Sequence, residues 1–212
     1  MNLIDPRVAD HLAALVPQRA PLLQAMERRA GETGFPIIGP VAGHFCYLVA
    51  RLTNARRVFE LGSGFGYSTA WFARAVHENG DGEVHHAVRD AALSAEARVH
   101  LDALGFAALM HYHIGEAVAA LRNAGGSFDL VFNDIDKPEY PASLSVIHER
   151  LRPGGVLIVD NALWHGRIFD AGDDSEATAG VRELTRLLSD ENRWLTTLVP
   201  IRDGLLLAVK RG

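Results

Sequence analysis

From Arg57 onward, short apolar runs alternate with stretches of helical periodicity, and this alternation restricts the fold more than any other feature of the chain. The runs are residues 58 to 61, 84 to 88, 110 to 114, 128 to 132 and 156 to 159. Between them lie helix-period stretches such as Leu93, Ala97, Leu101 and Leu104, and later Leu144, Ile147 and Leu151; the spacing is that of one apolar helix face. The second of these helices is expected to stop at Pro153-Gly154-Gly155. Alternating strands and helices imply βα units wound into a parallel sheet. Near the end, residues 195 to 201 and 205 to 209 are joined through Arg202-Asp203-Gly204, and Asp-Gly is a hairpin signal. The expected fold is α/β and doubly wound, with a mostly parallel sheet and an antiparallel last strand.

Before this pattern, residues 5 to 30 carry Leu12, Leu15, Leu22, Leu23 and Met26 among charges, interrupted at Pro17 and Pro21. Two or three short amphipathic helices are expected, serving packing or an oligomer contact. With 212 residues and 48% hydrophobic content, the reading is one domain over residues 1–212: an amino-terminal helical segment, 1–35, and a core, 36–212. A net charge of -5 without basic runs points away from nucleic acid and anionic membranes and toward a small-molecule partner. The lone Cys46 excludes an intramolecular disulfide, and the opening MNLIDPRVAD lacks the features of a signal peptide, so the expected location is cytoplasmic.

Two clusters carry the chemistry. The first strand runs into Glu60-Leu61-Gly62-Ser63-Gly64-Phe65-Gly66-Tyr67-Ser68, followed by a helix-compatible stretch at 69 to 77. Glycines there let the chain turn tightly and a ligand approach the backbone, while the helix offers free N–H groups. The spacing is G-x-G-x-G, not the G-x-G-x-x-G of a dinucleotide site, and Glu60 would repel a pyrophosphate but attract an amino group. That weakens an NAD-dependent oxidoreductase reading. The second cluster is Asp134, Asp136 and Lys137 after the fourth run, with Asp160 and Asn161 after the fifth. In a parallel sheet both emerge at the same carboxyl edge as the glycine turn. Asp134, Asp160 and Asn161 then form a half-shell of hard oxygens suited to Mg²⁺, Mn²⁺ or Ca²⁺. Solvated loop acids or an Asp–Lys ion pair are the plainer alternative.

The motifs "FELGSGFGYST", "GEA" at 115 to 117, "FDLVFNDIDKPEY", "LRPGGVLIVDNALWHG" and "LVPIRDGLLLAVKR" together resemble the cation-dependent O-methyltransferases that use S-adenosylmethionine, of the catechol and caffeoyl-CoA type. The resemblance implies a Rossmann-like methyltransferase sheet and a homodimer supported by the amino-terminal helices. It implies that the glycine turn, Gly62 and Gly64, and Ser68 hold the methionine part of the cofactor beside Glu60, that Ala117 contacts the adenine, and that Asp136 lies against the cofactor. It further implies that Asp134, Asp160 and Asn161 ligate the metal, that Lys137 is the general base, and that Trp164 lines the pocket of a phenolic acceptor with two adjacent oxygens.

One departure stands out. An Asp or Glu normally binds the ribose at the end of the second strand, and Val88 occupies that position. Asp90 reaching in from the loop, a substitute contact from Arg89 or His86, and a weakened cofactor site are the competing explanations. The last leaves open a non-catalytic binding protein on the same scaffold, although Asp134, Lys137, Asp160 and Asn161 standing in register argue for an enzyme. Among ten histidines, His111 and His113 share a strand face while His85 and His86 point to opposite faces. No third ligand is placed by sequence, so they are read as ordinary histidines; His165, after Trp164, is the one expected near an acceptor. Asp203, in the carboxyl-terminal turn, either approaches the pocket or shapes the hairpin, the second being favoured, and Trp71, Phe72 and Trp194 are read as core.

Overall fold

The computed structural model describes residues 4–80 and 82–212. Three helices come first: α1 (Pro6–Leu15), α2 (Pro21–Thr33) and α3 (Gly39–Leu52). Each has proline at its first or second position, where the missing N–H costs nothing. The amphipathic segment is therefore helical as expected, and α2 buries Leu23, Met26 and Ala30.

The alternating region then builds β1 (Arg57–Leu61), α4 (Tyr67–Glu78), β2 (Glu83–Val88), α5 (Ala91–Ala103), β3 (Met110–Ile114), α6 (Ala117–Asn123), β4 (Phe128–Asn133), α7 (Tyr140–Arg150), β5 (Leu151–Val159), α8 (Glu176–Leu188), β6 (Trp194–Val199) and β7 (Leu205–Lys210). The sheet order is β3-β2-β1-β4-β5-β7-β6. Strands β1 to β5 pair in parallel, and β7 runs antiparallel to both β5 and β6. The mostly parallel sheet with an antiparallel last strand is thus as read from the sequence. No described helix is long and apolar enough to cross a membrane.

Strand parity sends side chains to two cores. Val58, Val84, Leu130 and Phe132 pack with α2 to α5, while Phe59, Leu61, Ala87 and Val131 pack with α6 to α8. Trp71, Phe72 and Trp194 are core residues in this arrangement. One boundary differs from expectation. Helix α7 ends at Arg150, and Leu151 already pairs with Phe128 before the register resumes at Leu130 and Val156. Pro153-Gly154-Gly155 therefore forms an irregularity within β5 and does not terminate the helix.

The strand order reverses between β1 and β4, because the chain winds outward through β2 and β3 and then returns to the other side of β1. A crevice opens at the carboxyl ends of the strands flanking such a reversal. Backbone bonds lace that edge together: Gly62 and Ser63 N–H donate to the Ala87 carbonyl at 3.1 and 3.0 Å, and Asp134 N–H to the Leu61 carbonyl at 2.9 Å.

Candidate active site

A cleft of about 890 Å³ occupies this edge. Its floor is the glycine turn. Gly62, Gly64 and Gly66 have φ of +89°, +50° and +91°, a region costly for residues with a Cβ. At Gly62 a Cβ would run into the Asp134 carbonyl, and at Gly66 into Ala97. Helix α4 starts immediately after with no side-chain cap, so its first N–H groups remain for a ligand. Ser63, Ser68 and Tyr67 line the same wall. Glu60 is completely buried and is not part of the lining. Thr69 Oγ1 donates to Glu60 Oε2, whereas Oε1 is buried without a partner. Burial raises the Glu60 carboxyl to about 7, against the lowering effect of hydrogen bonds from Ser68, Thr69 and Ser63.

The opposite wall carries the aspartates. Lys137 Nζ donates to Asp134 Oδ1 at 2.8 Å and to the Ile135 carbonyl at 3.2 Å, and lies 5.7 Å from the Trp164 ring. Burial and then the Asp160 charge raise the Asp134 carboxyl, while Lys137 and Arg202 oppose the shift. Helix α8 presses on the Lys137 turn at Gly180, where a Cβ would strike the Lys137 carbonyl. Asp160, 1% exposed, accepts from Arg202 Nη1 at 2.6 Å through Oδ2. Asn161 Nδ2 donates to Asp203 Oδ2 at 3.1 Å, which leaves Asn161 Oδ1 as the atom available to a ligand.

These oxygens fit a hard divalent cation: Asp160 Oδ1 is buried and has no hydrogen-bond partner, and Asp134, Asp160 and Asn161 emerge from adjacent strands. The turn likewise fits a cofactor that needs close backbone approach, since a side chain at Gly62 would fill the space. Strain concentrates here as well. Among the described residues five non-glycines have positive φ, and four of them, Asn161, Trp164, His165 and Arg202, line the cleft. Such outliers persist where the surroundings hold them, and they gather at functional sites.

With the geometry in view, the chain can be set beside known proteins. Residues 21–211 match the family described as O-methyltransferase. The chain belongs to the O-methyltransferase family. The catechol O-methyltransferase of Niastella koreensis is 29% identical over 219 residues, covering 98% of this chain and 98% of its own. The crystal structure of the O-methyltransferase TomG from Streptomyces achromogenes, involved in tomaymycin synthesis and solved in complex with SAM, matches with a TM-score of 0.87. Its identity is 28%, over 97% of this chain and 96% of that one. A methyltransferase from Geobacter sulfurreducens matches with a TM-score of 0.84 and 27% identity, over 99% and 98%.

Of the residues singled out in the sequence of this O-methyltransferase, Gly62, Gly64, Ser68, Ala117, Asp134, Asp136, Lys137, Asn161 and Trp164 all line the cleft, as does His165. Glu60 and Asp160 stand behind the lining. Asp90 does not enter. It is the N-cap of α5, and its Oδ1 accepts from Ala92 N–H at 2.7 Å and Leu93 N–H at 3.4 Å. With Oδ1 engaged by the helix terminus and Asp90 outside the cleft lining, the structure lends the ribose role weighed for Asp90 no support. His86 is likewise buried, against Thr69. Ala87, Val88 and Arg89 are the residues of that strand end that line the cleft, and Arg89 spans to Asp136 at 3.2 Å and Glu139 at 2.6 Å.

Arg202 was missed, and the pocket was only the second-choice role for Asp203. Arg202 lines the cleft and neutralises Asp160. Asp203, read as a hairpin residue, is 4% exposed and accepts from both Asn161 Nδ2 and, at 2.6 Å, His165 N–H, so it orients both. An acid inside an otherwise apolar hairpin was the available signal.

Proposed function

We propose that the chain transfers a methyl group from S-adenosylmethionine to one hydroxyl of a small catechol-like acceptor, with a divalent cation at Asp134, Asp160 and Asn161. The observation that carries this reading is convergence: the glycine turn, Lys137 and the Asp134 and Asn161 oxygens line a single cleft, and Asp160 adjoins it through Arg202. The cofactor supplies an electrophilic methyl on its sulfonium and the cation supplies Lewis-acid polarisation of the acceptor.

The residues of the chain divide the remaining work. The backbone of Gly62 and Gly64 and the open start of α4 hold the carboxylate end of the cofactor, with Ser68 beside them. Glu60 Oε1, buried without a partner, is the acceptor for its ammonium. Ala117 gives an apolar wall for the adenine, and Asp136 flanks it, tied by Arg89. Lys137, in its neutral form, would take the acceptor hydroxyl proton at Nζ. Trp164 gives the acceptor ring a flat apolar contact. Holding acceptor and cofactor together in one cleft would supply much of the acceleration.

The test is calorimetric titration of S-adenosylmethionine, and separately of NAD, with and without Mg²⁺, followed by methylation assays on catechols and matched monophenols. Binding of S-adenosylmethionine but not NAD, and turnover of catechols that stops in a chelator, are expected. Equal turnover of monophenols in the chelator would overturn the cation and vicinal-diol parts. Absence of S-adenosylmethionine binding would overturn the whole.

A further inference from the structure

At the other end of β2, away from the cleft, the parallel register with β3 pairs His85 with His111 and Ala87 with His113. Paired and alternate residues share a face, so Glu83, His85, His111 and His113 stand together at the outer edge of the sheet. The sequence could show that His111 and His113 share a face, but only the register brings His85 to the same place. The reading of these as ordinary, unrelated histidines is therefore revised.

The group is built as a site. Imidazole or carboxylate atoms of Glu83, His85 and His111 all lie within 4.8 Å of one another. His85 Nε2 is 3.5 Å from Glu83 Oε1, and His111 Nε2 is 3.2 Å from Glu83 Oε2. Ligand atoms about 2.0–2.1 Å from a tetrahedral zinc ion stand roughly 3.3 Å apart, so the gap between His111 Nε2 and Glu83 Oε2 already has the required span. His85 Nδ1 lies 2.9 Å from His113 Nε2. That contact leaves Nε2 as the free atom of His85, the arrangement by which outer groups orient metal-binding imidazoles. His85 is 7% exposed, and this Nε2 is buried with no hydrogen-bond partner, a condition that ordinarily costs free energy. His111 is half-exposed, giving an ion access and the ring freedom to turn. Arg57 Nε, 2.5 Å from Glu83 Oε1, shares the carboxylate and leaves Oε2 as the ligand oxygen.

We infer that Glu83, His85 and His111 bind a borderline divalent transition ion of the zinc class, with His113 as the positioning residue. Glu83 lies four residues from the cleft residue Ala87, about 13 Å along the strand, and β1 stands between β2 and the strands that carry Asp134 and Asp160, so this ion is separate from any there. It would tie edge strand β3 to β2 and serve stability, with no part in methyl transfer.

The test uses tag-free protein, stripped with a chelator and held in excess Mg²⁺ so that hard oxygen sites are filled. Co²⁺ is titrated with visible spectroscopy and Zn²⁺ by calorimetry and thermal melting. One equivalent of Co²⁺ with the strong ligand-field bands of a four-coordinate nitrogen-containing site is expected, and Zn²⁺ should raise the melting temperature. His111→Ala, at an exposed position, should retain its circular dichroism yet lose the bands. His113→Gln should weaken Zn²⁺ affinity by about 10- to 100-fold, the usual effect of removing an outer partner. Absence of the bands in the parent protein, or bands that survive intact in folded His111→Ala, would overturn the assignment.

Discussion

Replacing Arg202 by glycine separates two demands on Asp160. In the folded protein the Arg202 guanidinium sits 2.6 Å from Asp160 Oδ2, a carboxylate 1% exposed, and Arg202 itself holds φ +53°. Without a cation, Arg202→Gly removes a charge-assisted bond worth about 1.5–3 kcal/mol and relieves about 1 kcal/mol of left-handed backbone strain. The net loss is about 0.5–2 kcal/mol. At about 2–4 °C per kcal/mol for a chain of this size, the melting temperature should fall by about 1–8 °C. A divalent ion at Asp160 must displace or share that same guanidinium. Its removal should therefore tighten ion binding by up to the same 1.5–3 kcal/mol, about 10- to 150-fold in Kd. Calorimetry with Mn²⁺ and melting curves with and without it measure both quantities. The expected pattern is a variant less stable than the parent in chelator and stabilised more strongly by Mn²⁺. Unchanged Mn²⁺ affinity would show that guanidinium and ion do not compete for Asp160 and would refute this coupling.

Three further outcomes are expected. Lys137→Ala should lower turnover by about 10²- to 10⁴-fold, the usual range for a general base, while S-adenosylmethionine affinity by calorimetry stays nearly unchanged; full turnover would sink the base assignment. Glu60, raised to about 7 in the fold from an ordinary 4.5, contributes stability that is whole below pH about 4.5 and is lost as pH rises through about 7. Glu60→Gln should thus remove up to about 3 kcal/mol of destabilisation between pH 5 and pH 8, seen as a shallower fall of melting temperature in cofactor-free protein. Asp90→Ala should cost about 1 kcal/mol as a lost helix cap and leave S-adenosylmethionine affinity untouched; a tenfold loss of affinity would return Asp90 to the cofactor.

The parts of this fold legible in the sequence are those fixed by local physics. Apolar runs and helical spacing placed every strand of the parallel sheet, and parallelism then placed Gly62, Asp134 and Asn161 at one edge without any knowledge of contacts. The prediction failed where one residue had two local uses. Asp90 is both a possible ribose ligand and an N-cap, and its Oδ1 accepts from the start of α5 at 2.7 and 3.4 Å, which is the nearer use. Pro153-Gly154-Gly155 looked like a helix stop, yet Leu151 had already joined the sheet, because the pairing edge of β4 reaches farther than the helix signal.

Long-range pairing hid the rest. Arg202 and Asp203 lie about 40 residues from Asp160 and Asn161 in the chain, and only the antiparallel insertion of β7 beside β5 brings them together. Two adjacent residues of one turn then take opposite tasks. Arg202 supplies a positive charge to Asp160, while Asp203 accepts from Asn161 and His165. A turn serving only the hairpin would have no reason to keep Arg202 in a left-handed conformation, since glycine adopts it at lower cost. The strain is accounted for if the guanidinium is what holds Asp160 ready in the absence of an ion. On that account the left-handed backbone at Arg202 and the unpartnered Asp160 Oδ1 belong to one device, a carboxylate kept half satisfied so that a stronger cation can complete it.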